Sequence, residues 1–130
     1  MARKRGPEEI IHRQVMDYLA WAKPRALYFH VPNGARMSKA QAGIHKAMGM
    51  LAGVPDLTFV CEGGKVRFIE LKAEGKYLSK SQKAFKETAE SLGAPVIVCR
   101  SVEDVRETLV EWGLLHPNRS VRAASGEEPA

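Results

Sequence analysis

Two β-favouring runs, Leu57-Thr58-Phe59-Val60-Cys61 and Val66-Arg67-Phe68-Ile69-Glu70-Leu71-Lys72, flank the tetrapeptide Glu62-Gly63-Gly64-Lys65. A crossover between parallel strands takes a dozen residues or more, and this gap has no room for one. The glycines accept the positive φ that a tight turn demands. The segment therefore predicts an antiparallel hairpin, and the rest of the chain must be arranged around it.

The flanking sequence supplies the other layers. Pro7, Glu8 and Glu9 mark a helix start, because proline suits the first turn and carboxylates suit the positive end of the helix dipole. Ile11, Val15, Tyr18, Leu19 and Ala22 recur at helical spacing to about Lys23, where Pro24 intervenes. Leu27 to Val31 reads as a short strand, broken by Pro32-Asn33-Gly34. Ser38 caps a second helix over 38–51, with Ile44, Met48 and Leu51 on one face and Gly53 beyond its end. After the hairpin, a helix from about Lys80 to Leu92 turns Phe85, Ala89 and Leu92 inward and stops at Gly93. Pro95 to Cys99 is wholly apolar, as in a strand buried on both faces. Ser101 opens a last helix whose inner face is Val102, Val105, Leu109 and Trp112, ended by Gly113. From His116 the composition turns polar and small, which predicts a disordered tail over 116–130 behind a single domain over 1–115. The order α-β-α-β-β-α-β-α defines an α/β protein: a small mixed sheet flanked by helices on both faces. The stretch from Lys72 to Val96 is long enough to cross over to a parallel strand.

Composition narrows the function. A chain of 130 residues suits one domain. No apolar run approaches the roughly 20 residues of a membrane span. The basic start, Met-Ala-Arg-Lys-Arg, runs into Gly6, Pro7, Glu8 and Glu9, where a signal peptide would be apolar. Cys61 and Cys99 lie in apolar runs and read as reduced core residues, so the expected location is cytoplasmic with no membrane partner. The net charge of +5 is uneven. Residues 36–86 carry 10 basic and 4 acidic side chains, whereas residues 87–130 carry 4 basic and 8 acidic ones. A polyanion such as DNA is drawn to the middle of the chain, since each phosphate contact releases counterions. A solvated basic face without a partner is the plainer alternative.

Two of the four carboxylates in that basic segment, Asp56 and Glu70, are candidates to share a site. Glu70 and Lys72 are two apart on one strand, so their side chains leave the same face. Asp56 opens the partner strand. With a two-residue turn at Gly63-Gly64, Asp56 would pair with Leu71 and face away from Glu70. A three-residue loop or a bulge would instead pair it with Glu70 or Lys72. Adjacent carboxylates repel, and a divalent cation removes that repulsion. Oxygen ligands suit Mg²⁺ or Mn²⁺, either of which lowers the pKa of a bound water and neutralises a phosphoryl group. Lys72 on the same face is suited to orient water or to stabilise the transition state.

Pro55-Asp56 followed by Glu70-Leu71-Lys72 resembles the PD-(D/E)XK nuclease signature. The wider set is similar to the VRR-NUC branch of that superfamily, including stand-alone members like Holliday-junction resolvases. It comprises His30-Val31-Pro32-Asn33-Gly34, Leu51 to Leu57, Phe68 to Lys72, Ser79 to Gln82 and Val98 to Ser101, and the likeness spans roughly residues 8–112. The resemblance implies a restriction-endonuclease-like core and a metal-dependent DNA endonuclease. It implies Asp56 and Glu70 as metal ligands with the Leu71 carbonyl, Lys72 as catalytic, and Gln82 and an acidic residue of the first helix as further site residues. Glu8 is the choice there over Glu9. It also implies a homodimer acting on branched or junction DNA.

Blander roles stand beside these. Ser79-Lys80-Ser81-Gln82 is a capping box. Glu8 complements a helix dipole. Lys76, Lys80, Lys83 and Lys86 form a solvated stripe or a phosphate-contacting one. His12, His30 and His45 contain no ligand pair at zinc spacing, and His30 reads as packed at a strand end. The rival to a nuclease is a DNA-binding module that keeps the fold without turnover.

Overall fold

The computed structural model describes residues 4–32 and 38–126; Asn33-Gly34, read above as a turn, lies outside them. The elements are α1 (Pro7–Ala22), β1 (Leu27–His30), α2 (Lys39–Ala47), β2 (Leu57–Val60), a 3₁₀ turn at Glu62–Gly64, β3 (Val66–Leu71), α3 (Lys80–Ser91), β4 (Val96–Cys99), α4 (Val102–Glu111) and α5 (Val121–Ala124). They form a four-stranded mixed sheet in the order β1-β2-β3-β4. β1, β2 and β3 run antiparallel in turn, and β4 joins β3 in parallel after the α3 crossover.

One sheet face carries the main core. Leu57, Phe59, Ile69, Leu71 and Cys99 point there, and Val15 and Leu19 of α1 and Val105 and Leu109 of α4 close over them. Each of these side chains stabilises the fold by roughly 1.5–3 kcal/mol through the water it sheds. The opposite face is covered more thinly. There Phe85 of α3 meets Phe68 edge-on, ring centres 5.1 Å apart. Both cysteines are free and buried, and burial pushes the Cys99 thiol up to about 11. No helix among the described residues is long and apolar enough to cross a membrane.

Several expectations need correction. The second helix stops at Ala47, short of the expected 51. Gly49 takes φ +100°, and Met50 donates to the His45 carbonyl, the closing bond of a Schellman motif. The face of Ile44, Met48 and Leu51 is exposed rather than inward, Met48 by 81%, and α2 has no buried residue among those described. Leu92 falls on the C-cap of α3 and is 80% exposed, so Phe85 and Ala89 cover the sheet without it. The apolar β4, expected to be buried on both faces, is packed by α3 and α4 and stands at the edge of the sheet. Residues 116–126 are not a loose tail. The Tyr18 hydroxyl donates to the Arg119 carbonyl, the Arg119 guanidinium stacks over Trp21, and α5 packs on α1 and α4. Two apolar residues, Val121 and Ala124, suffice to seat α5, which a composition average does not register.

Candidate functional site

The hairpin loop decides whether a site exists. Three residues, Glu62-Gly63-Gly64, span it, and both glycines take positive φ. The ladder pairs Val60 with Val66 and Leu57 with Ile69. Continued by one residue, that register sets Asp56 opposite Glu70, with both side chains on the same side of the sheet. The odd loop length has this effect, since a two-residue turn would have sent them apart.

Asp56 lies just before β2 on the loop that follows Gly53. That loop is pressed onto the first turn of α3. A Cβ on Gly53 would stand 2.2 Å from the Ser81 carbonyl oxygen, and its φ of +85° disfavours any other residue. The Asp56 side chain is anchored by its Oδ2, which accepts the Leu71 N–H at 2.7 Å. An aspartate at the end of β2 thus replaces the missing ladder partner of β3.

Glu70 is 4% exposed. Its Oε1 accepts from Gln82 Nε2 at 3.2 Å, while its buried Oε2 has no hydrogen-bond partner among the described residues. Burial, then the neighbouring Asp56, push the Glu70 carboxyl up to about 8, against a smaller downward pull from Lys72. A buried and a half-buried carboxylate meet here, and a buried oxygen left unpaired is expensive. A hard divalent cation fits that donor set, because it gives the unpaired oxygen a partner and cancels the repulsion.

The remaining residues named from the sequence fall around this pair. Lys72 has a side chain only 12% exposed, and its Nζ stands 3.9 Å from Glu8 Oε1. Glu8 therefore reaches the cluster through Lys72, whereas Glu9 pairs with Arg5 and Arg13. Glu8 itself is exposed rather than inward. Gln82 makes the capping box and also touches Glu70. Its Oε1 accepts the Ser79 N–H at 2.8 Å, completing the capping box, and its Nε2 is left to hold Glu70. Ala73, just past Lys72, is tied down by Arg100, whose guanidinium donates to the Ala73 carbonyl at 2.7 Å. In the lysine stripe, Lys86 is engaged with Glu90 and the Val96 carbonyl, both at 2.9 Å. Lys76, Lys80 and Lys83 are exposed.

Linear spacing conceals one group. His12 of α1 and His30 of β1 meet edge to face, ring centres 4.4 Å apart, next to Asp56. Desolvation and the neighbouring His30 lower the His12 pKa, against a smaller upward pull from Asp56. The only signal in the sequence was the presence of these histidines on elements bordering the Asp56 loop. Elsewhere, a groove of about 670 Å³ lined by Leu51, Phe68, Phe85 and Leu92 is apolar and carries no titratable side chain. Volume and chemistry point to different places, and the acidic cluster has the chemistry.

Comparison with known proteins follows the same lines. The family model for the VRR-NUC domain matches residues 11–103. A solved structure named VRR_NUC domain protein is similar at 24% identity, covering 86% of this chain and 93% of its own, with a TM-score of 0.65. Another, named VRR_NUC domain, is 20% identical, covers 82% of this chain and 97% of its own, and has a TM-score of 0.55. At these identities the structures support the fold. No curated protein matches the chain.

Proposed function

The chain belongs to the VRR-NUC domain family, a nuclease-like family, and from that premise we propose that it is a divalent-metal-dependent DNA endonuclease. The observation that carries the proposal is the buried, partnerless Oε2 of Glu70 beside Asp56, in a segment of net positive charge. Asp56, Glu70 and the Leu71 carbonyl would hold Mg²⁺ or Mn²⁺. When bound, such an ion makes water a better nucleophile and offsets charge on the phosphoryl group.

The chain's own groups have assigned work. Gln82 locks the Glu70 carboxylate in one orientation, and the Leu71 N–H does the same for Asp56. Lys72 supplies a fixed positive charge for the oxygens that gain negative charge as phosphorus is attacked. Glu8 holds the Lys72 ammonium toward the acidic pair. The exposed Lys76, Lys80 and Lys83 would contact phosphates and set register on the DNA without reading bases.

The finer part of the proposal is selectivity for branched or junction DNA by a homodimer with one site for each of two strands. The test is cleavage of junction, flapped and plain duplex DNA with Mg²⁺, with Mn²⁺ and with EDTA. Wild type is compared with Asp56→Ala and Glu70→Ala. Metal-dependent cutting that both variants abolish is the expected result. Cutting that survives in both removes the assignment. Sedimentation with and without junction DNA reads the oligomeric state.

A further inference from the structure

We propose that His12, His30 and Asp56 form a second metal site, selective for a first-row transition ion such as Zn²⁺, adjoining the carboxylate pair and sharing Asp56 with it. One ring nitrogen from each histidine and one Asp56 carboxylate oxygen lie within 4.8 Å of one another. Ligand atoms about 2.0–2.1 Å from a tetrahedral zinc stand roughly 3.4 Å apart, so side-chain adjustments of about 1.4 Å or less close the site.

The histidines are held as ligands are. His30 Nδ1 lies 2.7 Å from the Asp56 carbonyl oxygen. A carbonyl only accepts, so Nδ1 carries the proton and Nε2 is the ring nitrogen left with a lone pair to offer an ion. A metal-binding imidazole is commonly oriented in this way, by a second bond that fixes its tautomer. The backbone of Asp56 thus aims His30 while the Asp56 side chain joins the cluster. His12 is half-buried and positioned by α1, whose neighbouring turns are anchored in the core through Val15 and Leu19. The three groups come from a helix, a strand and a loop, and their convergence is a product of the fold.

Donor chemistry separates this site from its neighbour. Two imidazoles and a carboxylate favour Zn²⁺ and its neighbours in the Irving–Williams order, whereas Mg²⁺ prefers the all-oxygen set at Asp56 and Glu70. The proposal stands independently of nuclease activity, since it does not require Glu70 to hold an ion.

The experiment measures Zn²⁺ uptake by equilibrium dialysis at pH 7.5 without DNA, and visible absorption on Co²⁺ loading. Mg²⁺ binding is followed in parallel by calorimetry. One Zn²⁺ per wild-type chain is expected. His12→Ala, His30→Ala and the size-conserving His30→Gln each weaken uptake by at least about tenfold and lose the cobalt spectrum, while Mg²⁺ binding stays within twofold. His45→Ala, on α2, leaves uptake intact. Glu70→Gln keeps the Zn²⁺ site while losing Mg²⁺ binding, so failure of the nuclease reading and failure of this one are separately visible. No Zn²⁺ uptake by wild type, or uptake as tight in the histidine variants, overturns the proposal.

Discussion

Replacing Glu70 with glutamine tests the physics of the acidic pair more directly than activity does. The folded Glu70 carboxyl is raised from an ordinary 4.5 to about 8, chiefly by burial and by Asp56. A raised folded pKa means the native state keeps a proton that the unfolded chain has already released. Stability is therefore fully present below about 4.5 and is lost as pH rises toward 8. At about 1.4 kcal/mol per unit the loss amounts to several kcal/mol. Glutamine has nearly the same shape, stays neutral, and offers an amide N–H to Asp56. In EDTA, Glu70→Gln should match wild type at pH 4.5 and exceed it by several kcal/mol at pH 8.5. At about 4 °C per kcal/mol for a domain of this size, that is a difference of 10–20 °C in Tm. Mg²⁺ at about 100 times its Kd should return about 2.7 kcal/mol to wild type at pH 8.5 and nothing to the variant. Thermal and urea melts at both pH values, with EDTA and with Mg²⁺, provide the comparison. Wild type and variant with parallel pH profiles in EDTA, or equal stabilisation by Mg²⁺, would refute the reasoning.

Three further outcomes follow from the geometry. Lys72→Met should lower kcat by roughly 10²–10³ and leave Mn²⁺ affinity nearly unchanged. Because Lys72 holds the Glu70 pKa down, the acidic limb of the rate profile should also move to higher pH, and an unmoved limb with full kcat would sink its role. Gly53→Ala should cost about 2–4 kcal/mol in urea melts, since its Cβ meets the Ser81 carbonyl at a φ of +85°; a loss under 1 kcal/mol counts against that contact. Deleting residues 116–130 should remove about 2 kcal/mol, from the Tyr18–Arg119 hydrogen bond and the apolar contacts of Val121 and Ala124; a neutral deletion would restore the idea of a loose tail.

Local rules carried most of the fold. The start of α1 at Pro7, the caps at Ser38, Ser79 and Ser101, and the stop at Gly113 are each written in a few adjacent residues. The antiparallel hairpin and the α/β order with a parallel β4 also follow from runs a reader can see. Asp56 and Glu70 could be named because carboxylates stand out in a β-rich, basic segment, and Lys72 because it leaves the same strand face as Glu70. The dependence of the Asp56–Glu70 meeting on loop length was derivable from strand periodicity, but the loop length itself was not. It rests on the φ values the two glycines adopt once the strands pair.

Other features were decided only in three dimensions. Leu92 and the α2 face look like core residues in one dimension, yet burial is a property of what packs opposite, and among the described residues they stay exposed. The edge position of β4 was not legible in its apolar run, because α3 and α4 pack against an edge strand too. Gln82 caps α3 and contacts Glu70 at once, since its two amide atoms serve one each. The pairing of His12 with His30 joins a helix to a strand, and no spacing rule reaches across that gap. Sequence periodicity reports which face each element turns inward, because that is a local property of the backbone. Which faces then meet depends on the free energy of packing the whole chain, and at this protein's acidic cluster that is what sets an aspartate, a buried glutamate and two imidazoles side by side.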